Sequence, residues 1–255
     1  MKNLIWIASY PKSGNTWMRY IITALFYNTN SSLKPENLVG LSVPDTYRKE
    51  LLDIPEVNLF GQNLAFAKTH ACGIPDIGEK FETVGFIYVY RHPLDVLLSA
   101  INFSYIRKYD MFFHDGHVHS ADELKASGDI DLYLEKFSKN LAIKNYVPMS
   151  NSWIENVSTW VNMTDEYKFT IIFRYEDLLE NTLREVQRFK DIFPVSDEQI
   201  QEALDFADQN TNDGGNFFWK RRAGNYKDYF SENSRRKFYA MHHEVLDKLG
   251  YPFNR

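Results

Sequence analysis

An α/β fold, with a central parallel sheet flanked by helices, is what this sequence predicts, and three observations carry the prediction. Short apolar runs alternate with amphipathic stretches along the chain, the pattern of parallel strands joined by helices. Two of those runs pass through a short turn directly into a helical stretch. The 255 residues are 44% hydrophobic and 25% charged, enough for a core of their own, and a single domain over 1–255 is expected.

The first run, Leu4 to Ala8, suits a buried strand. After a turn containing Pro11 and Gly14, the stretch Thr16 to Asn28 places Met18, Ile21, Ile22 and Leu25 at i, i+3, i+4 and i+7, one face of a helix. Residues 29–63 follow no period and are expected to be irregular. Leu64 to Lys68 and Phe86 to Tyr90 read as the second and third strands, the latter rich in β-favouring residues. Pro93 opens a helix to about Ser104, because its missing N–H would be unpaired in a first turn anyway. Residues 108–131 are polar, contain histidines and lack periodicity, which predicts a long loop. Its Tyr109, Phe112 and Phe113 offer apolar surface for a lid hinged at Gly116 and Gly128, although the same rings could equally pack permanently on the core. Helical patterns recur at Leu132 to Tyr146 and Trp153 to Met163, the latter read as a core helix burying Trp153 and Trp160. Thr170 to Tyr175 is a fourth strand entering a helix near Glu176, and the last third is mainly helical, broken at 210–217.

Composition narrows the function. A net charge of −5 argues against a general nucleic-acid or anionic-membrane binder, so any anion site must be local. Cys72 is the only cysteine, which excludes a disulfide or a thiolate-rich metal site within the chain and fits a reducing compartment. The apolar run at the amino terminus is too short for a signal peptide, and no window approaches the ~20 apolar residues of a membrane helix. A cytoplasmic protein is expected.

Ligands of open parallel sheets bind where strand ends turn into helices. The first such turn is Ser9-Tyr10-Pro11-Lys12-Ser13-Gly14-Asn15-Thr16-Trp17. Small and polar residues feeding a helix start present unpaired N–H groups and the positive end of a dipole, a cradle for phosphate or sulfate. Lys12 adds a full charge, and Ser13 and Thr16 add hydroxyls; a capped helix start with a surface lysine is the plainer reading. The nucleoside triphosphate loop GxxxxGK[ST] fits less well, because here the lysine precedes the glycine and no glycine opens the loop.

Pro-Lys-Ser-Gly-Asn-Thr-Trp after a first strand resembles the 5'-phosphosulfate loop of the soluble sulfotransferases that use 3'-phosphoadenylyl sulfate (PAPS). Arg91-His92-Pro93-Leu94-Asp95-Val96-Leu97-Leu98-Ser99 is similar to that family's R-x-x-x-D-x-x-x-S motif. The resemblance implies that Arg91 and Ser99 hold the 3'-phosphate, a role that suits a guanidinium fork and a helix hydroxyl, and Asp95 is read as structural. Lys68-Thr69-His70 resembles the family's K-T-H segment, which implies His70 as general base; standing alone, a histidine at a strand end is more often a packed or solvated side chain. Tyr175-Glu176-Asp177-Leu178 resembles Y-E-D-L/M, implying that Tyr175 lines the adenine site, while an amphipathic tyrosine closing a strand explains the ring equally. Phe206 is assigned to adenine stacking in the same way. The carboxyl-terminal pattern R-K-G-x-x-G-[DN]-W-K is altered here to Trp219-Lys220-Arg221-Arg222-Ala223-Gly224-Asn225-Tyr226-Lys227. Lys220 and Arg221 are carried over as 3'-phosphate ligands, with Arg222 as the alternative and a solvated basic face as the plain one. WIASYPKSGNTWMR and SWIENVSTW are also similar to bacterial sulfotransferases of antibiotic scaffolds.

The resemblance covers strand one to about Phe230 and implies a P-loop-like sulfotransferase fold. It further implies sulfuryl transfer from PAPS to a hydroxyl or amine of a small-molecule acceptor, with 3'-phosphoadenosine 5'-phosphate (PAP) as product and no metal. Lys12 would neutralise the leaving 5'-phosphate, Lys68 would help hold the sulfuryl oxygens, and Ser99 would occupy Lys12 until the acceptor arrives. The implied partner is a hydroxyl-bearing small molecule, with no nucleic acid and no membrane, and a homodimer is left open. Two other classes remain: a metal-dependent P-loop kinase or nucleotide-binding protein, and a non-catalytic PAP-binding protein.

Overall fold

The computed structural model describes residues 1–46, 53–112, 117–211 and 221–253. In chain order the elements are β1 (Lys2–Ala8), α1 (Asn15–Phe26), α2 (Pro35–Ser42), β2 (Glu56–Leu59), β3 (Gln62–Thr69), β4 (Phe81–Tyr90), α3 (Pro93–Arg107), α4 (Ala121–Ser127), α5 (Ile130–Ser138), α6 (Val147–Ser150) and α7 (Trp153–Asn162). They continue with β5 (Phe169–Arg174), α8 (Tyr175–Glu180), α9 (Thr182–Gln187), α10 (Asp197–Thr211), α11 (Tyr226–Tyr229) and α12 (Glu232–Lys248). These elements divide into two compact units, one of Met1–Tyr90 with Asn156–Asp213, the other of Arg91–Glu155 with Gly214–Arg255.

The first unit holds the sheet, ordered β2-β3-β1-β4-β5. β1 lies parallel between β3 and β4, and β4 pairs parallel with β5. Leu4 to Ala8 on the central strand have no exposed surface, as expected of a strand covered on both faces. The four parallel strands match the four predicted: β1, β3 and β4 are each longer by two to five residues, and β5 has the predicted length shifted by one residue. The sheet is nonetheless mixed, because β2 pairs antiparallel with β3. Residues 29–63, expected to be irregular, contain α2, β2 and the start of β3. Phe60 and Gly61 join β2 to β3 with φ of 55° and 74° while Leu59 pairs with Gln62, the two-residue turn whose positive φ values match strand twist.

The second unit is helical. His92 caps α3 by accepting from the Leu94 N–H at 3.2 Å, with Pro93 following as expected. The long loop predicted for 108–131 is corrected in part: α4 lies inside it, opened by a capping box between Ser120 and Glu123 and closed by Gly128 at φ 85°. Gly128 is thus a helix cap where a hinge was expected. Phe112 is buried against Tyr133, ring centroids 5.1 Å apart, and its carbonyl accepts from Lys136 Nζ. Tyr109 is exposed, and Phe113 and Gly116 lie outside the described residues.

Candidate active site

The phosphate-cradle candidate takes shape where β1 ends. Lys12 and Gly14 both have positive φ, 71° and 108°, a turn that aims successive N–H groups into one concavity ahead of α1. Glycine is needed at 14 for a second reason: a Cβ there would lie 2.7 Å from Cδ2 of Tyr175. The Tyr175 ring is buried and meets Trp17 edge-on at 6.3 Å and 77°, so it backs the loop from behind. Asn15 donates from Nδ2 to the Ile7 carbonyl at 2.9 Å, which ties the helix start to the strand and leaves its backbone N–H as the group available to an anion. Ser13 is fully buried and its hydroxyl has no hydrogen-bond partner among the described residues, whereas Lys12 and Thr16 keep exposed surface. The side chains able to touch an anion are therefore Lys12 and Thr16, with Ser13, Gly14, Asn15 and Trp17 contributing backbone. Gly14→Ala is expected to lower stability by about 1–3 kcal/mol through strain and contact and to weaken phosphate binding. A thermal melt and a binding titration check it, and neither changing would mean that the loop is built otherwise.

Parallel register brings His70 to this loop. Ala8 pairs with Thr69, so the next residues, Ser9 and His70, emerge side by side. His70 Nδ1 lies 2.7 Å from the Ser9 carbonyl oxygen. Because a carbonyl only accepts, Nδ1 carries the proton and Nε2 is left as the basic nitrogen. The backbone on the other side is fixed by α7: Asn156 Nδ2 donates to the carbonyls of His70 and Ala71 at 3.2 and 3.1 Å, and Trp160 Nε1 donates to Ala71 at 2.9 Å. Tyr88 Oη in turn donates to Asn156 Oδ1 at 2.8 Å. Lys68 forms an ion pair with Asp45. Burial works to raise the Asp45 pKa, but the Lys68 cation outweighs it, helped by Arg19, and the carboxyl stays below its ordinary value.

His70 is held neutral. Desolvation first, then the Lys68 cation, with Lys12 adding to it, pushes the pKa down to about 3. His92 in the other unit is also pushed well down, by burial and then by Arg91 and Lys227. Its Nε2 lies 2.6 Å from Tyr239 Oη and its ring stacks on Tyr226 at 4.1 Å. Below the ordinary histidine pKa near 6.5 the unfolded chain takes up protons that these folded rings refuse. The stability these neutral rings contribute is therefore full above pH 6.5 and is lost as pH falls below it, for His70 down to about 3. Urea unfolding at pH 7, 6 and 5 is expected to show a falling midpoint; an unchanged one would mean that the rings titrate normally.

In the second unit Arg91 is buried, with Nη2 donating to the Arg222 carbonyl at 3.3 Å and its own carbonyl accepting from Trp153 Nε1 at 3.1 Å. Ser99, half-buried on α3, makes no hydrogen bond among the described residues. Arg222 is engaged with Asp228 and with Asn225 Oδ1. Lys220 and Trp219 lie outside the described residues. Phe206, in the first unit on α10, is half-exposed and packs on Tyr20 with centroids 6.1 Å apart.

Sequence reading missed Asp45 and Asn156. Asp45 sits in an aperiodic stretch and reaches Lys68 only through an isolated bridge beside β3. Asn156 carried a signal: it stands between Trp153 and Trp160 on the buried face of α7, where a polar residue with no exposed surface needs a partner. Among the described residues no cluster of three or more His, Cys, Asp or Glu could hold a metal, and no helix is long and apolar enough to cross a membrane.

The sulfotransferase domain profile matches residues 2–250. The chain is 25% identical over 267 residues to sulfotransferase 6B1 of Danio rerio, covering 94% of this chain and 77% of that one. Mouse sulfotransferase SULT7A1 complexed with PAP superposes with a TM-score of 0.61 at 17% identity, covering 96% of this chain and 85% of its own. Retinol dehydratase in complex with retinol and PAP gives 0.62 at 16%, covering 96% and 82%. The chain belongs to the sulfotransferase family and is an enzyme of sulfuryl transfer to small-molecule acceptors.

Proposed function

We propose that the protein transfers the sulfuryl group of PAPS to a hydroxyl-bearing small molecule, releasing PAP. The observation that carries this is the strand register that sets His70, its Nδ1 proton fixed on Ser9, beside the Lys12 loop. His70 Nε2 takes the acceptor's proton as its oxygen bonds to sulfur. The bond from sulfur to the 5'-phosphate oxygen breaks, and Lys12 with the loop N–H groups neutralises the charge collecting there. Burial and then Lys68 keep His70 neutral, and Lys68, paired with Asp45, is the second cation beside the sulfuryl oxygens. Arg91, Ser99, Lys220 and Arg221 hold the 3'-phosphate, with Phe206 and Tyr175 on the adenine side. The PAP-bound relatives support this reading, as does retinol, an alcohol, in one of them. The net charge of −5 supports neither nucleic acid nor anionic membrane as partner, and the lone free Cys72 suits the cytoplasm.

The test is a panel of alcohols, phenols and amines incubated with PAPS, reading PAP release and sulfated product. Release of PAP with no sulfated product from any acceptor would leave a hydrolase in place of a transferase. Arg91→Ala is expected to weaken PAP about 10- to 100-fold, the range for losing charge-assisted bonds, and adenosine 5'-phosphosulfate far less, since only PAP carries the 3'-phosphate. Equal losses would place Arg91 elsewhere.

A further inference from the structure

Asp95 is the least exposed charged residue among the described residues of the second unit, 1% accessible, and the chemistry above gives it no task. It lies in the first turn of α3. Its Oδ2 accepts from the Gly224 N–H at 2.7 Å and its Oδ1 from the Tyr226 N–H at 3.0 Å, so a single carboxylate holds alternate amides of a segment more than a hundred residues away in sequence. The same Oδ2 lies 3.8 Å from Arg91 Nη2, and that nitrogen donates to the Arg222 carbonyl. Gly224 sits at φ 74° with nothing within 4 Å of a Cβ built there, so glycine serves the turn's conformation and not its packing. Burial raises the Asp95 pKa, against Arg91 and the two amides.

Fixing so buried a carboxylate is costly unless it is paired and fully hydrogen-bonded, and here the pairing joins the two basic segments assigned to the 3'-phosphate. We propose that Asp95 is a positioning residue for recognition of the 3'-phosphate: it sets Arg91 and the 221–226 turn in one fixed arrangement, so that affinity for that group is preorganised. This rests on the PAPS reading above. Asp95 itself, an anion, touches no phosphate. Removing it releases the Gly224 and Tyr226 amides and lets the turn and the guanidinium move independently.

The experiment compares the binding of PAP and of adenosine 5'-phosphate, which differ only in the 3'-phosphate, to the full chain, Asp95→Asn and Gly224→Ala. Asparagine keeps the shape but offers an N–H where an acceptor is needed, and alanine strains the turn at an open surface position where the fold survives. The expected result is a ratio of affinities that falls about tenfold or more in Asp95→Asn and less in Gly224→Ala, with adenosine 5'-phosphate binding changed less than about twofold. A purely structural role would weaken both ligands together or leave the ratio intact, and either outcome overturns the proposal. If Asp95→Asn does not fold, an intact ratio in Gly224→Ala overturns it and a reduced one supports it. A wild-type protein that binds both nucleotides equally well would instead defeat the 3'-phosphate assignment itself.

Discussion

Replacing His70 with alanine is expected to slow transfer to an aliphatic alcohol about 10²- to 10⁴-fold, the usual cost of losing a placed proton acceptor. The structure fixes the tautomer and the charge state of the ring in the protein without its ligands. The Ser9 carbonyl fixes the tautomer and leaves Nε2 unprotonated, and the pKa, pushed down to about 3, keeps the ring neutral throughout the working range. Two further results follow. A phenol already ionised at assay pH should recover most of its rate with the variant, because it has no proton to give. In the wild type, kcat/KM should show no loss from histidine protonation between pH 8 and 5.5; a limb centred near 6.5 would mean that the ring titrates freely. If His70→Ala is equally damaging to alcohol and ionised phenol while PAPS binds normally, His70 positions the acceptor and another group takes the proton.

Lys12→Ala should behave differently, with a loss of about 10² to 10³ that is the same for every acceptor, since the charge it meets develops on the leaving group. Lys12 stands at φ 71° in the loop, so its ammonium is delivered by a backbone turn that alanine could adopt only with strain. Lys12→Arg keeps the charge but spreads it over a planar fork, and partial rescue is expected. Recovery of Lys12→Ala activity with the ionised phenol would exchange the roles assigned to Lys12 and His70.

What the sequence shows of this fold follows from how local each signal is. The parallel strands and the turn after β1 were legible because apolar runs and the Pro11, Lys12, Gly14 chemistry act over a few residues. The β2–β3 hairpin was not, because its turn is Phe60-Gly61 where Asn-Gly would have announced it; the exposed phenylalanine adopts positive φ only because the strands on either side pair. Helix α4 does carry a local signal, Ser120 followed three positions later by Glu123, inside a stretch otherwise without period. Of the site, the residue types were readable and their partners were not. His70 could be named, but the Ser9 carbonyl that fixes its proton and the Asn156 amide that anchors its backbone depend on pairing across 61 and 86 positions. The Asp45 and Lys68 ion pair is likewise a product of tertiary structure, and it recasts Lys68 from a free cation into half of a pair.

The chain is expected to bind a 3'-phosphorylated nucleotide through its own cations and loop amides. Calorimetric titration of PAP in the presence of EDTA tests it, with ATP and magnesium as the comparison. Binding of PAP at about micromolar affinity or tighter without divalent metal, roughly 8 kcal/mol, and in preference to ATP, is the predicted result. Binding that appears only with magnesium, or that favours ATP over PAP, would contradict it.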